Sequence, residues 1–293
     1  MSVFKGSCVA LSTPFTKDGI NFDTLAKLIE FHIDNKTDSI LVCGTTGEPS
    51  TMTTAEKCAV IDFTVKRVSG RIPIIAGAGT NNTVSSVEMA KKASELGADA
   101  ILAVTPYYNK CSVAGLIKHF NAMTDASKLP TIVYNVPSRT GLNITPDTLL
   151  KLSENKYIVG IKEASANITQ IVEMARLCEG KIDLYAGNDD HAIPIMSVGG
   201  LGVISVTANV APKEVHDMAT AYLNKDLDTA KKLQFMLNPL SAALFSDVNP
   251  IPVKTALRLM GFDMGELRLP LCDMSYDKLD KLKVELAKLG KIN

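Results

Sequence analysis

Short runs rich in β-branched and aliphatic residues recur eight times along this chain, at 7–11, 39–42, 73–76, 100–104, 131–134, 158–161, 183–186 and 202–206. Between them lie stretches at 22–36, 54–69, 83–96, 112–126, 146–153 and 169–178 with apolar residues at three- and four-residue spacing and charge opposite. A strand followed by an amphipathic helix is a βα unit, and repeated units give a parallel sheet. Eight is the number at which that sheet closes on itself. Thr53 with Glu56 reads as a helix-capping pair and Ser112 as another helix start, while Gly70, Gly97 and Gly180 sit where helices stop. Beyond Asn224 the alternation ends, and 228–245, 252–260 and 276–289 read as helices with no strand between them. The expected architecture is α/β: a (β/α)8 TIM barrel over residues 1–224, with a C-terminal helical region, 225–293, packed upon it.

Lysine plus arginine match aspartate plus glutamate at 31 each, so no summed field favours nucleic acid or an anionic membrane. A small molecule is the expected partner. The first residues lack the apolar segment of a secretory signal, no stretch approaches a bilayer span, and a cytoplasmic location is expected. Six cysteines lie scattered without a C-x-x-C pair, and His32, His119, His191 and His216 are dispersed, so neither a metal nor a redox site is expected.

A (β/α) barrel builds its site from the carboxyl ends of its strands, and here those ends are polar. Gly44-Thr45-Thr46-Gly47-Glu48 follows the second strand, and Tyr134-Asn135-Val136-Pro137-Ser138-Arg139-Thr140-Gly141 closes the fifth. Lys162 ends the apolar run of the sixth instead of lying on a charged helix face. A free lysine, with pKa about 10.4, is almost wholly protonated at neutral pH, and burial at a barrel mouth would free part of it for attack on a ketone. An ion pair with Glu163 is the structural alternative. Tyr134 is either an acid and base facing Lys162 or a packing residue. Thr45 and Thr46 suit a small carboxylate, or else form a turn. Arg139 can grip a second carboxylate with its planar fork, or stand idle in a loop.

Four segments, Gly44 to Glu48, Tyr134 to Gly141, Gly160-Ile161-Lys162-Glu163-Ala164 and Asn249-Pro250-Ile251-Pro252-Val253-Lys254, fall in the order in which dihydrodipicolinate synthases carry them. The chain resembles that family, within the N-acetylneuraminate lyase superfamily of class I aldolases, over essentially its whole length. The resemblance implies condensation of pyruvate with L-aspartate 4-semialdehyde through a covalent imine at Lys162, with no separate cofactor. It implies that Tyr134 shuttles protons in a relay with Thr45 and with Tyr108 from a neighbouring subunit. Thr46 and the backbone at Ile204 would hold pyruvate, Gly187 would line its pocket, and Arg139 would grip the semialdehyde carboxylate. Trans action by Tyr108 implies at least a dimer, and the family a homotetramer built from tight dimers.

Lysine-inhibited relatives bind lysine in a dimer crevice corresponding to Ser50, Asn81, Ser85 and Tyr107, among others. A glutamate that contacts the ammonium groups there is replaced by Ser85, and Lys57 adds a like charge. Weak or absent feedback is expected, unless Glu88, one helical turn from Ser85, substitutes. Two other functions are weighed. A pyruvate-dependent aldolase for sugar aldehydes or keto-deoxy acids is disfavoured by Arg139. A non-catalytic keto-acid-binding barrel leaves Lys162, Tyr134 and the threonine pair unexplained.

Overall fold

The computed structural model describes residues 2–293. Eight parallel strands form a closed barrel in sequence order: β1 Gly6–Ala10, β2 Ser39–Val42, β3 Ile74–Gly77, β4 Ala100–Val104, β5 Thr131–Asn135, β6 Ile158–Glu163, β7 Asp183–Ala186 and β8 Gly202–Ser205, with β8 pairing back to β1. The enclosing helices are α1 Phe22–Asp34, α2 Thr54–Val68, α3 Thr83–Glu95, α4 Val113–Ser127, α5 Pro146–Leu152, α6 Ile168–Leu177, α7 Ala192–Met196 and α8 Pro212–Leu223. Three more follow: α9 Leu227–Leu244, α10 Ile251–Leu259 and α11 Tyr276–Lys288.

Strand side chains alternate, and the alternation divides the core in two. Val9, Ile40, Ile74, Ile101, Val133, Ile161, Leu184 and Val203 face outward and merge with the helices. Cys8, Leu41, Ile75, Leu102, Ile132, Tyr134, Tyr185 and Ile204 face inward and form a separate cluster inside the barrel. The lower end is plugged: the Tyr185 ring stacks on Phe4 at 4.4 Å, and its hydroxyl donates to the Phe4 carbonyl at 2.9 Å. Gly160 makes room for that ring, since a Cβ there would stand 3.2 Å from Tyr185 Cε2.

The capping pair forms as expected, with the Thr53 hydroxyl accepting from the Glu56 N–H and the Glu56 carboxylate accepting from the Thr53 N–H. Ser112 caps α4 through the Gly115 N–H. The structure corrects the reading at several places. A short hairpin, Phe15–Thr16 with Gly19–Ile20, and a one-turn helix, Pro137–Thr140, are too brief for any periodicity. Helix α7 spans five residues, and α8 shows only a narrow apolar stripe, Val215, Met218 and Ala219. Strands β5 and β6 also run further than their apolar runs, so Lys162 and Glu163 belong to a strand and inherit its alternation. The last helices pack on the body through buried Leu237, Leu240, Leu244, Leu282 and Leu286, α9 along α8 and α11 against α9.

Candidate active site

Lys162 pairs in register with Tyr134 on one side and Tyr185 on the other, both inward-facing, so its side chain points into the barrel. Glu163, one residue on, faces the opposite way. Its carboxylate accepts from Asn135 Nδ2 at 2.9 Å and from the Ser165 N–H at 2.6 Å. The Lys162–Glu163 ion pair therefore does not form. The Lys162 amine stands 4.5 Å from the centre of the Tyr134 ring, and the residue is only 5% exposed.

Burial lowers the Lys162 amine from 10.5 to about 8. Against this, Cys8 and then Asp189 favour the charged form, although the Cys8 thiol is itself pushed up to about 12 by burial and stays neutral. At pH 7 the neutral fraction rises about 300-fold, to about one molecule in ten. Burial also pushes the Tyr134 phenol up to about 12, with Arg139 and the Thr45 side chain pulling it back. At neutral pH the pair is a partly neutral amine beside a protonated phenol.

Above them lies a cavity of about 320 Å³ whose lining includes Thr45, Tyr107, Tyr134, Arg139 and Asn249. Lys162 does not line it directly, whereas Tyr134, whose ring centre is 4.5 Å from the Lys162 amine, does. Among the described residues that line the cavity, Lys57 and Arg139 are cationic and Glu48 alone is acidic. That acid is neutralised by Lys254 at 2.7 Å, which leaves a cavity suited to carboxylates. The Thr45–Gly47 turn at its wall is bracketed by Cys43 and Glu48, both left-handed at φ 56°. Such conformations cost about 1–3 kcal/mol each in non-glycine residues and persist only where the surroundings impose them.

Asn249 is a residue whose role sequence reasoning missed. Its Nδ2 donates to the Thr46 hydroxyl at 3.1 Å, and its carbonyl accepts from the Arg139 guanidinium at 3.2 Å, while its buried Oδ1 has no partner among the described residues. It joins the two candidate carboxylate-holding residues across more than a hundred positions of sequence. Its place in a recurring motif was the only signal.

Gly187 packs against the end of β6, where a Cβ would come within 2.8 Å of the Ala164 Cβ and 3.0 Å of the Glu163 carbonyl oxygen. Ile204 is fully buried among the inward residues. The backbone just beyond it is fixed by Asp189, whose carboxylate accepts from the Ser205 hydroxyl and from the N–H groups of Val206 and Thr207. Tyr108, at φ 69°, is 91% exposed and does not line the cavity that Tyr134 lines. Ser50 and Tyr107 line the cavity, whereas Asn81 and Ser85 do not. Glu88 is turned away to Lys92, at 2.8 Å on the exposed face of α3.

Residues 3–289 match the profile of the Dihydrodipicolinate synthetase family. The 4-hydroxy-tetrahydrodipicolinate synthase of Thermoanaerobacter sp. (strain X514) is 55% identical over 291 residues, covering 99% of this chain and 98% of that protein. The crystal structure of dihydrodipicolinate synthase from Aquifex aeolicus is 44% identical with a TM-score of 0.95, covering 98% of each chain. The chloride-inhibited dihydrodipicolinate synthase from Acinetobacter baumannii, solved in complex with pyruvate, is 42% identical with a TM-score of 0.96 over 98% of this chain and 99% of that one. With a match that spans nearly every residue and a barrel that superposes on theirs, this chain belongs to the dihydrodipicolinate synthetase family.

Proposed function

We propose that the protein condenses pyruvate with L-aspartate 4-semialdehyde to give 4-hydroxy-tetrahydrodipicolinate, the first committed step toward diaminopimelate and lysine. The observation that carries the reading is Lys162: a buried amine lowered to about 8, beside a protonated phenol that lines a cavity holding Lys57 and Arg139. The neutral amine attacks the keto carbon of pyruvate, and loss of water leaves an imine. Removal of a methyl proton gives the enamine, whose carbon attacks the aldehyde carbon of the semialdehyde while the new alkoxide takes a proton. The semialdehyde's own amine then attacks the imine carbon, closes the ring and releases Lys162. Tyr134 supplies and takes the protons, with Thr45 in its relay. Thr46 and the backbone at Ile204 hold the pyruvate carboxylate, Gly187 keeps its pocket open, and Arg139 takes the second carboxylate. Pyruvate in the Acinetobacter baumannii relative supports the choice of ketone. Arg139 supports a short acidic aldehyde over a polyhydroxylated one.

We further propose a cytoplasmic homotetramer, a dimer of tight dimers in which Tyr108 completes the relay of a neighbouring subunit. Its near-complete exposure in the single chain supports a contact of that kind. No helix among the described residues is long and apolar enough to cross a membrane.

The deciding assay is pyruvate consumption with aspartate semialdehyde, with lysine titrated to a large excess. Turnover is expected, and lysine is expected to change it little, because the one acid lining the cavity is already engaged and Glu88 is paired elsewhere. Absence of turnover refutes the substrate assignment. Strong suppression by lysine refutes only the reading of Ser50, Asn81, Ser85 and Tyr107 as a degenerate site.

The amine also fixes a pH dependence. Adduct formation with pyruvate, trapped by borohydride, is expected to rise about tenfold per pH unit below about 8 and to level off above it. A flat profile would mean that deprotonation of Lys162 does not limit attack. The same shift makes the unfolded chain bind more protons between about 8 and 10.5, so this lysine's contribution to stability rises with pH across that window.

A further inference from the structure

Lys254 and Glu48 form an ion pair at 2.7 Å with both side chains fully buried, 206 positions apart in sequence. The Lys254 amine also donates to the Glu266 carbonyl at 3.0 Å, and the second Glu48 oxygen accepts from the Arg268 N–H at 3.1 Å. The Phe15 ring lies 4.1 Å from the Lys254 amine and 4.0 Å from the Arg268 guanidinium. Arg268 is tied in turn to Thr51 and Glu56, just beyond the same turn. Removing two charges from water is costly, and apolar residues of equal volume often stabilise a fold as well or better. Stability alone does not account for this pair.

Its position offers an account. Glu48 is the left-handed residue that ends the Thr45–Gly47 turn, and every partner of its carboxylate comes from the C-terminal helical region. Asn249, two residues before α10 begins and on the segment that leads to Lys254, holds the Thr46 hydroxyl. We propose that the Lys254–Glu48 pair is a positioning device that sets the Thr45 and Thr46 hydroxyls against Tyr134 and Lys162, so that the C-terminal region tunes the reaction without touching substrate. This rests on the roles proposed above for Thr45 and Thr46.

The test is Glu48→Asp, which keeps the charge pair but shortens the arm by one methylene, so the turn must move for the pair to form. Misplacement on the scale of an ångström can cost about 100-fold in rate. A folded Glu48→Asp protein, with a thermal midpoint near that of the parent, is expected to lose about that much in kcat and to show a raised KM for pyruvate. Lys254→Arg, which retains the cation, is expected to keep more of the rate than Lys254→Met. A folded Glu48→Asp protein with parental kcat and KM overturns the proposal. Should that variant not fold, Lys254→Met combined with Glu48→Gln decides on the same two constants. Borohydride trapping of pyruvate on the parent keeps the inferences distinct: no parental adduct defeats the proposed chemistry, whereas a parental adduct with an unimpaired Glu48→Asp defeats only the positioning role.

Discussion

Lys162→Met is expected to lower turnover by on the order of 10⁴-fold or more, and to abolish the borohydride-trapped pyruvate adduct, without loss of the fold. Methionine keeps the unbranched stem and removes a charge that is only 5% exposed, so the barrel interior is relieved of a desolvation cost instead of gaining a hole. What disappears is the covalent intermediate. The informative comparison is Lys254, whose amine burial also lowers to about 8. Burial lowers both amines, so burial alone does not separate the two lysines. Access does: Lys254 is sealed and held by Glu48, whereas Lys162 stands beside the wall of the cavity. Peptide mapping of the reduced adduct should find it on Lys162 alone, and an adduct persisting in Lys162→Met would refute the assignment.

Tyr134→Phe is expected to lower kcat by about 10²- to 10³-fold while the pyruvate adduct still forms, only more slowly. The phenylalanine ring preserves both the volume and the aromatic face 4.5 Å from the Lys162 amine, so the loss isolates the hydroxyl. With the phenol pushed up to about 12, it enters the reaction as a proton donor, and its removal should slow dehydration to the imine and the later protonations. Turnover within a factor of about 3 of the parent, clear of the 10²- to 10³-fold range, would assign the proton transfers elsewhere.

The barrel was legible because its determinants are local. Each strand is a short apolar run and each helix a longer periodic one, and one such pair repeats until the sheet closes. Lys162 stood out for a similar reason, as a charge ending an apolar run. Which way it points came with the structure: the strand runs on through Glu163, so Gly160 and Lys162 share one face and Ile161 and Glu163 the other, which removes the Lys162–Glu163 pair. Contacts between distant segments were not legible. No periodicity joins Thr46 to Asn249 or Glu48 to Lys254, and the Asp189 clamp on Val206 and Thr207 depends on strands meeting side by side. Helix α8 was missed for a different reason, its apolar stripe being too thin to register.

The stopper of Phe4 and Tyr185 makes the barrel a cul-de-sac. In the proposed chemistry, whatever reaches Lys162 comes from the side of the cavity that Tyr134 lines. The keto acid arrives first there, because the aldehyde meets an enamine that only the keto acid can supply. In that chemistry the finished ring holds the site until it leaves, so one keto acid is processed at a time.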